Sequence, residues 1–162
     1  MQVTHFLDTN ILLYAISTSE AEAKKKTIAR DLLEGNDWGV SVQVLQEFYV
    51  NATKSKRASD SPAMTVLEAA NAVRRFTAYP VVTNTDTLLI KAIDLSQRFQ
   101  ISFWDAGVVA AAIASGAKTL YTEDLNHGQI YETITVVNPF LSQQGKPPKR
   151  TKRRSNKQQS SA

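Results

Sequence analysis

The chain has 162 residues, of which 43% are apolar and 21% are charged, so it can bury a core and we expect one globular domain. It contains no cysteine, which excludes disulfides, a thiolate nucleophile and a cysteine-based zinc site. No apolar stretch approaches the roughly 20 residues of a membrane helix, and the N-terminus has no basic signal-peptide region. We therefore expect a cytoplasmic protein whose chemistry uses oxygen and nitrogen groups.

The net charge of +4 is unevenly distributed along the chain. Residues 145–162 contain no acidic residue and seven basic ones, which are Lys146, Lys149, Arg150, Lys152, Arg153, Arg154 and Lys157. Removing these seven from the 19 Lys and Arg leaves 12 against 15 Asp and Glu, so the rest carries about −3. Because the tail has almost nothing apolar to bury, we predict a folded domain at 1–141 and a disordered basic tail at 142–162.

Strand-like and helical patterns of apolar residues alternate along the domain. In chain order they predict a strand at 2–7, helices at 11–16 and 20–34, a strand at 38–42, helices at 43–54 and 62–77, a short strand at 81–83, helices at 85–99 and 103–115, and strands at 118–122 and 133–137. Gly35 stands where a C-cap is expected, and Pro62 stands in a first helical turn. This alternation predicts an α/β fold with a mainly parallel central sheet covered on both faces.

Two acidic residues have informative positions, one at a strand end and one at a helix start. Ligands bind such a fold beyond the carboxyl ends of its strands. Asp8 directly follows the first strand, although Asp is also a favoured N-cap for the next helix. Asp105 is the single charged residue at 103–115, in a helix whose apolar pattern predicts burial, and an unpaired buried carboxylate is costly. Its spacing from Ser102 also fits a capping box, in which Glu or Gln is usual. We interpret Asp105 as functional, whereas the position of Asp8 taken alone favours the capping role.

Two further carboxylates are less distinctive. Asp124 follows the strand at 118–122, where an Asx turn explains it almost as well. Its neighbour Glu123 could take its place as a ligand. Glu47 lies outside the apolar stripe of its helix, about 60° from Val44, and most such glutamates are simply solvated. Position favours Asp124 over Glu123 and assigns no role to Glu47.

Independent strand ends and helix starts thus bring carboxylates to one predicted cleft. Hard cations such as Mg²⁺ and Mn²⁺ prefer carboxylates and water as ligands. Four carboxylates without a cation would repel one another and would repel phosphate. With one or two ions the same cluster can activate water for attack on a phosphodiester. The two isolated histidines, His5 and His127, are not needed as bases.

Four segments resemble a known family, the PIN domains, and most closely the VapC-type toxins of bacterial toxin–antitoxin pairs. They are FLDTNIL at 6–12, SVQVLQEF at 41–48, FWDA at 103–106 and LYTEDL at 120–125. Each segment is short, but their order and spacing match the family along the whole domain. The resemblance implies a three-layer α/β/α fold and Mg²⁺- or Mn²⁺-dependent cleavage of RNA. The implied acidic cluster is Asp8, Glu47, Asp105 and Asp124.

The same resemblance implies supporting residues and partners. Asn10, Ser41 and Thr122 would orient the carboxylates or water, and their local roles as turn residue or helix cap are compatible with this. A homodimer is implied and, for the toxin branch, a cognate antitoxin that covers or enters the cleft. The basic tail departs from the family pattern. It is either an arm that binds RNA phosphates or a solvated tail, and the sequence does not decide.

Two other classes of protein remain as alternatives. A catalytically silent RNA-binding or antitoxin-binding module would keep the fold, but it would not need four clustered charges. An aspartate-nucleophile phosphatase also has an Asp at the end of its first strand, within an Asp-x-Asp pattern. This chain has Asn10 at the second position of that pattern. We therefore predict a metal-dependent endoribonuclease.

Overall fold

The computed structural model describes residues 2–141, so the tail predicted at 142–162 lies outside the described residues. The elements are, in chain order, β1 (His5–Leu7), α1 (Thr9–Ala15), a 3₁₀ turn (Glu20–Glu22), α2 (Ala23–Glu34), β2 (Trp38–Ser41), α3 (Val42–Ala52), α4 (Val66–Phe76), β3 (Val81–Val82), α5 (Asp86–Phe99), α6 (Phe103–Ala114), β4 (Thr119–Tyr121), β5 (Ile130–Tyr131) and β6 (Ile134–Val137).

The strands form one six-stranded sheet in the order β3-β2-β1-β4-β6-β5. All neighbouring pairs are parallel except β5 with β6. Consecutive strand residues point to opposite faces, and Phe6 and Leu7 are both fully buried, so helices cover both faces at β1. The predicted α/β fold with a mainly parallel sheet is confirmed.

Helix α6 is the most buried helix, as its apolar pattern predicts, with every residue from Ala106 to Ala112 buried. The prediction fails at its first turn, where Phe103 and Trp104 are exposed. Asp105 is half-buried there, because this turn reaches the surface. In the described part of the chain, no helix is both long enough and apolar enough to span a membrane.

Two local features differ from the prediction, and a third agrees with it. Helix α4 begins after Thr65, which forms a capping box with Glu68, rather than near Pro62. Gly35 does occupy the C-cap of α2, but its φ of −66° is one that any residue adopts. Strand β5 was not predicted, because the turn that joins it to β6 contains Glu132 at φ 53° in place of the usual Gly or Asn.

Candidate active site

Asp8 lies at the carboxyl end of β1, where its side chain is almost fully buried at 5% exposure. It is the N-cap of α1, and its Oδ1 accepts a hydrogen bond from the Thr9 N–H at 2.7 Å. Its Oδ2 accepts from Thr122 Oγ1 at 2.7 Å and from Asn10 Nδ2 at 3.3 Å. The capping role proposed from the sequence is therefore present, and it uses only one of the two carboxylate oxygens.

Asn10 and Thr122 connect Asp8 to Asp124, which follows the adjacent strand β4. Asn10 Nδ2 donates to Thr122 Oγ1 and to Asp124 Oδ2, both at 3.0 Å. The N–H of Asp124 donates to Thr122 Oγ1 at 3.1 Å. Because β1 and β4 are parallel neighbours, their carboxyl ends bring these four residues together. Asn10 thus contacts both carboxylates, whereas Thr122 contacts the carboxylate of Asp8 and the backbone N–H of Asp124.

Glu47 projects from α3 and is held at both carboxylate oxygens. Its Oε2 accepts from Thr9 Oγ1 at 3.1 Å, and its Oε1 accepts from Gln43 Nε2 at 3.0 Å. The same Gln43 nitrogen donates to the carbonyl oxygen of Trp104 at 3.1 Å. Neither Thr9 nor Gln43 was predicted from the sequence to have a role. The four-residue spacing of Gln43 and Glu47, which places both on one helix face, is the signal that was available.

Asp105 lies in the first turn of α6, after the N-cap Ser102. Its N–H donates to Ser102 Oγ at 3.1 Å, and Ser102 Oγ donates to Asp105 Oδ2 at 2.7 Å. The local capping interaction therefore exists. In the described residues Asp105 has no hydrogen bond to the other three carboxylates, but its charge is near enough to raise the pKa of Asp124.

Ser41 differs from Asn10 and Thr122, because it caps a helix and does not bond a carboxylate of the cluster. It is almost fully buried as the N-cap of α3, and its Oγ accepts from the Val44 N–H at 3.2 Å. Among residues 2–141 it makes no hydrogen bond with a carboxylate of the cluster. It contributes to the site by capping the helix that carries Glu47.

Burial and neighbouring carboxylates disfavour the charged forms of Asp8 and Asp124, so both have a raised pKa. Burial raises the pKa of Asp8 from 3.8 to about 6, against the hydrogen bonds from Thr122 and Thr9, and the charges of Asp124 and Glu47 raise it further. Desolvation also raises the pKa of Asp124. None of the ion pairs within residues 2–141 includes a cluster carboxylate. The described part of the chain therefore supplies no direct cationic partner for this charge.

Glu123 differs from its neighbour Asp124, because it does have a cationic partner. Its Oε2 accepts from Lys25 Nζ at 2.8 Å, and its Oε1 accepts from the Tyr14 hydroxyl. Lys25 also lies 4.5 Å above the centre of the Tyr14 ring. These interactions turn Glu123 toward α1 and α2, while Asp124 faces Asn10.

Within residues 2–141, no three side chains of Asp, Glu, His or Cys are grouped closely enough to hold one metal ion. The four predicted ligands are thus not assembled as a metal group, and the amide of Asn10 lies between Asp8 and Asp124. The donor chemistry nevertheless fits a hard cation, because the site offers carboxylate oxygens without a countercharge. Asn10 Oδ1 is also buried and accepts no hydrogen bond from the described residues. The donor chemistry of the residues present therefore fits Mg²⁺ or Mn²⁺, whereas their spacing in this structure does not form a closed set of ligands.

Fold and site together define an α/β protein with an acidic cluster at the carboxyl edge of its sheet. The family model described as PIN domain matches residues 5–139, so the chain belongs to the PIN-domain family. This confirms the resemblance found in the four sequence segments. No curated protein matches the chain.

Solved structures with the same fold include three from bacterial toxin–antitoxin systems. A toxin–antitoxin complex from Klebsiella pneumoniae has TM-score 0.61 and 19% identity, covering 85% of this chain and 98% of that one. VapC20 from Mycobacterium tuberculosis, a toxin that cleaves the sarcin–ricin loop, has TM-score 0.58 and 23% identity, with coverages of 75% and 92%. DNA-bound VapBC from Salmonella typhimurium has TM-score 0.57 and 16% identity, with coverages of 83% and 97%. At these identities the likeness shows the fold.

Proposed function

We propose that this protein is a divalent-metal-dependent endoribonuclease whose acidic cluster, Asp8, Glu47, Asp105 and Asp124, holds Mg²⁺ or Mn²⁺. The observation that carries the proposal is the acidic cluster without an ion-paired cation, at the carboxyl ends of β1 and β4. Such a cluster repels an RNA phosphate unless a cation is bound. Membership of the PIN-domain family supports a nuclease.

The residues of the chain have distinct roles in this proposal. Bound Mg²⁺ or Mn²⁺ would supply an activated water and positive charge beside the phosphate. Asp8 and Asp124 are oriented by Asn10 and Thr122, through the hydrogen bonds that join the ends of the two strands. Asp124 is the better ligand candidate than Glu123, since Glu123 is already neutralised by Lys25.

A groove beside the cluster offers a path for the RNA strand. It has a volume of about 750 Å³, and its walls include Asn10 and Glu123 as well as Lys54 and Lys56. Lysines attract phosphates and release counterions from the nucleic acid. We place one side of the bound strand in this groove, with its phosphates toward Lys54 and Lys56. The same walls also carry Glu22, Asp60 and Glu123, so the lysines provide local positive charge within a mixed lining.

In the cell we propose that the protein is the toxin of a type II toxin–antitoxin pair, acting as a homodimer in the cytoplasm. Several structures with this fold are toxin–antitoxin complexes. Phe103 and Trp104, at 37% and 65% exposure, lie beside Asp105 and offer an apolar surface to a protein partner. A cognate antitoxin seated there would cover the cleft.

The test is cleavage of a labelled pool of structured RNAs with Mg²⁺, Mn²⁺ or EDTA. Asp8→Asn and Asp105→Asn keep side-chain size and remove charge, and Asp31→Asn on the exposed face of α2 is the control. We expect metal-dependent cleavage by the wild type and the control, with at least a hundredfold loss in both cluster variants. Equal cleavage by all four proteins contradicts the site. Salt-sensitive RNA binding without cleavage favours the silent binding module.

A further inference from the structure

One side chain outside the predicted cluster bridges the two helices that carry Glu47 and Asp105. Gln43 Nε2 donates to Glu47 Oε1 at 3.0 Å and to the Trp104 carbonyl oxygen at 3.1 Å. Both partners can only accept hydrogen bonds, so the amide must turn its nitrogen toward them. The amide orientation is therefore fixed by the chemistry of its two neighbours.

Gly107 provides the space for this amide. A Cβ at Gly107 would lie 2.5 Å from Gln43 Oε1, and the three nearest atoms all belong to Gln43. Gly107 is buried within α6, where glycine is less stable than alanine and where its φ is not positive. Conformational freedom therefore does not explain this glycine, whereas the position of the Gln43 amide does.

We propose that Gln43 is a positioning residue for Glu47. The absence of a side chain at Gly107 leaves the space that the Gln43 amide occupies. Gln43 holds Oε1 while Thr9 holds Oε2, so the Glu47 carboxylate has one orientation relative to the turn that carries Asp105. This inference rests on the proposed function, because it assigns Gln43 the task of presenting Glu47 to the metal.

The contact between Gly107 and the Gln43 amide allows the orientation of Glu47 to be changed without a loss of folding stability. Alanine at position 107 forces only the end of a flexible side chain to move, and it suits a helix interior better than glycine. The fold should therefore tolerate Gly107→Ala, while the Gln43 amide is displaced from Glu47. Loss of contacts that orient a metal ligand typically reduces metal affinity or activity about 10-fold to 100-fold.

The experiment compares Mn²⁺ affinity, by titration calorimetry on the full chain, with thermal stability in EDTA. Gln43→Met and Gly107→Ala are made singly and together. Gln46→Met, on the exposed side of the same helix, and Gly35→Ala, where a Cβ meets only Leu32 O at 3.4 Å, are the controls. Cleavage of RNA is measured to obtain kcat and KM separately.

We expect both single variants to weaken Mn²⁺ binding about tenfold. In both, kcat should fall by a larger factor than the factor by which KM changes. The Tm of Gly107→Ala should equal or exceed that of the wild type. The double variant should bind Mn²⁺ no more weakly than either single one, because both changes remove the same contact. The inference is wrong if Gly107→Ala binds Mn²⁺ as tightly as the wild type, or if the losses of Mn²⁺ affinity in the two single variants multiply in the double variant. Either result leaves the proposed function standing. A wild-type chain that binds no Mn²⁺ and cleaves no RNA overturns the proposed function and this inference with it.

Discussion

The hydroxyl of Thr122 donates to Asp8 Oδ2 at 2.7 Å, in a buried hydrogen bond between residues 114 positions apart. Thr122 Oγ1 in turn accepts hydrogen bonds from Asn10 Nδ2 and from the N–H of Asp124. One fully buried threonine thus connects the end of β1 to the end of β4. The relative position of Asp8 and Asp124 therefore depends on hydrogen bonds that pass through this one hydroxyl.

Thr122→Val, which keeps the shape of the side chain and removes the donor, should lower the free energy of unfolding. A hydrogen bond to a charged group contributes about 1.5–3 kcal/mol, and here Thr122 is fully buried and Asp8 is only 5% exposed. Urea unfolding near neutral pH in EDTA measures the loss. Thr135→Val is the matched control, since Thr135 lies in β6 away from the cluster. A loss no larger than that of the control contradicts this role of Thr122.

In the metal-free protein, Asp8→Asn should gain stability relative to the wild type as the pH rises. The folded pKa of Asp8 is about 6, above its ordinary 3.8, so the folded state binds the proton more tightly. The wild type therefore loses stability as the pH rises from 3.8 through 6, by up to about 3 kcal/mol. The variant lacks this loss. The free energy of unfolding of the variant minus that of the wild type should therefore increase by about 1–3 kcal/mol between about pH 4 and about pH 7.

Urea unfolding curves in EDTA across this pH range measure that advantage. Asp31→Asn, which removes an exposed carboxylate, is the control and should show a difference that hardly varies with pH. A pH-independent difference for Asp8→Asn as well would contradict the burial of an unpaired charge at Asp8.

Addition of Mn²⁺ should raise the Tm of the wild type, because the ion binds the folded site and reduces the repulsion among its carboxylates. At an ion concentration about 100 times the Kd, binding adds about 2.7 kcal/mol. Asp105→Asn and Asp124→Asn should lose most of this shift, whereas Asp94→Asn on the exposed side of α5 should keep it. Differential scanning fluorimetry with and without EDTA makes the measurement. Equal shifts in all four proteins would show that the ion binds elsewhere.

Glu123→Gln and Asp124→Asn should have unequal effects on RNA cleavage. Glu123 is paired with Lys25 at 2.8 Å, and Asp124 has no pairing of this kind in the described chain. We expect Glu123→Gln to retain at least about a tenth of the wild-type kcat/KM and Asp124→Asn to lose about a hundredfold or more, as for a ligand-type residue. The half-exposed Lys25 pair should contribute under about 1 kcal/mol to folding. The reverse order of activities would make Glu123 the ligand.

Much of the architecture was predictable from patterns within a few residues. The alternation of strand and helix gave the parallel sheet, and the polar residues Asp8, Ser41 and Ser102 were recognisable as helix caps because capping is local chemistry. The start of α4 was misplaced because Pro62 is a weaker start signal than the capping box of Thr65.

The amino-acid sequence by itself determined the fold class, the helix caps and the set of acidic residues at strand ends, because these follow from side-chain periodicity and turn chemistry along a short stretch of chain. Only the tertiary structure decided which carboxylates have partners. Lys25 neutralises Glu123 across 98 positions, and the space at Gly107 admits the amide that holds Glu47. Such contacts depend on how packed helices meet in space, and no local pattern in the sequence records that geometry.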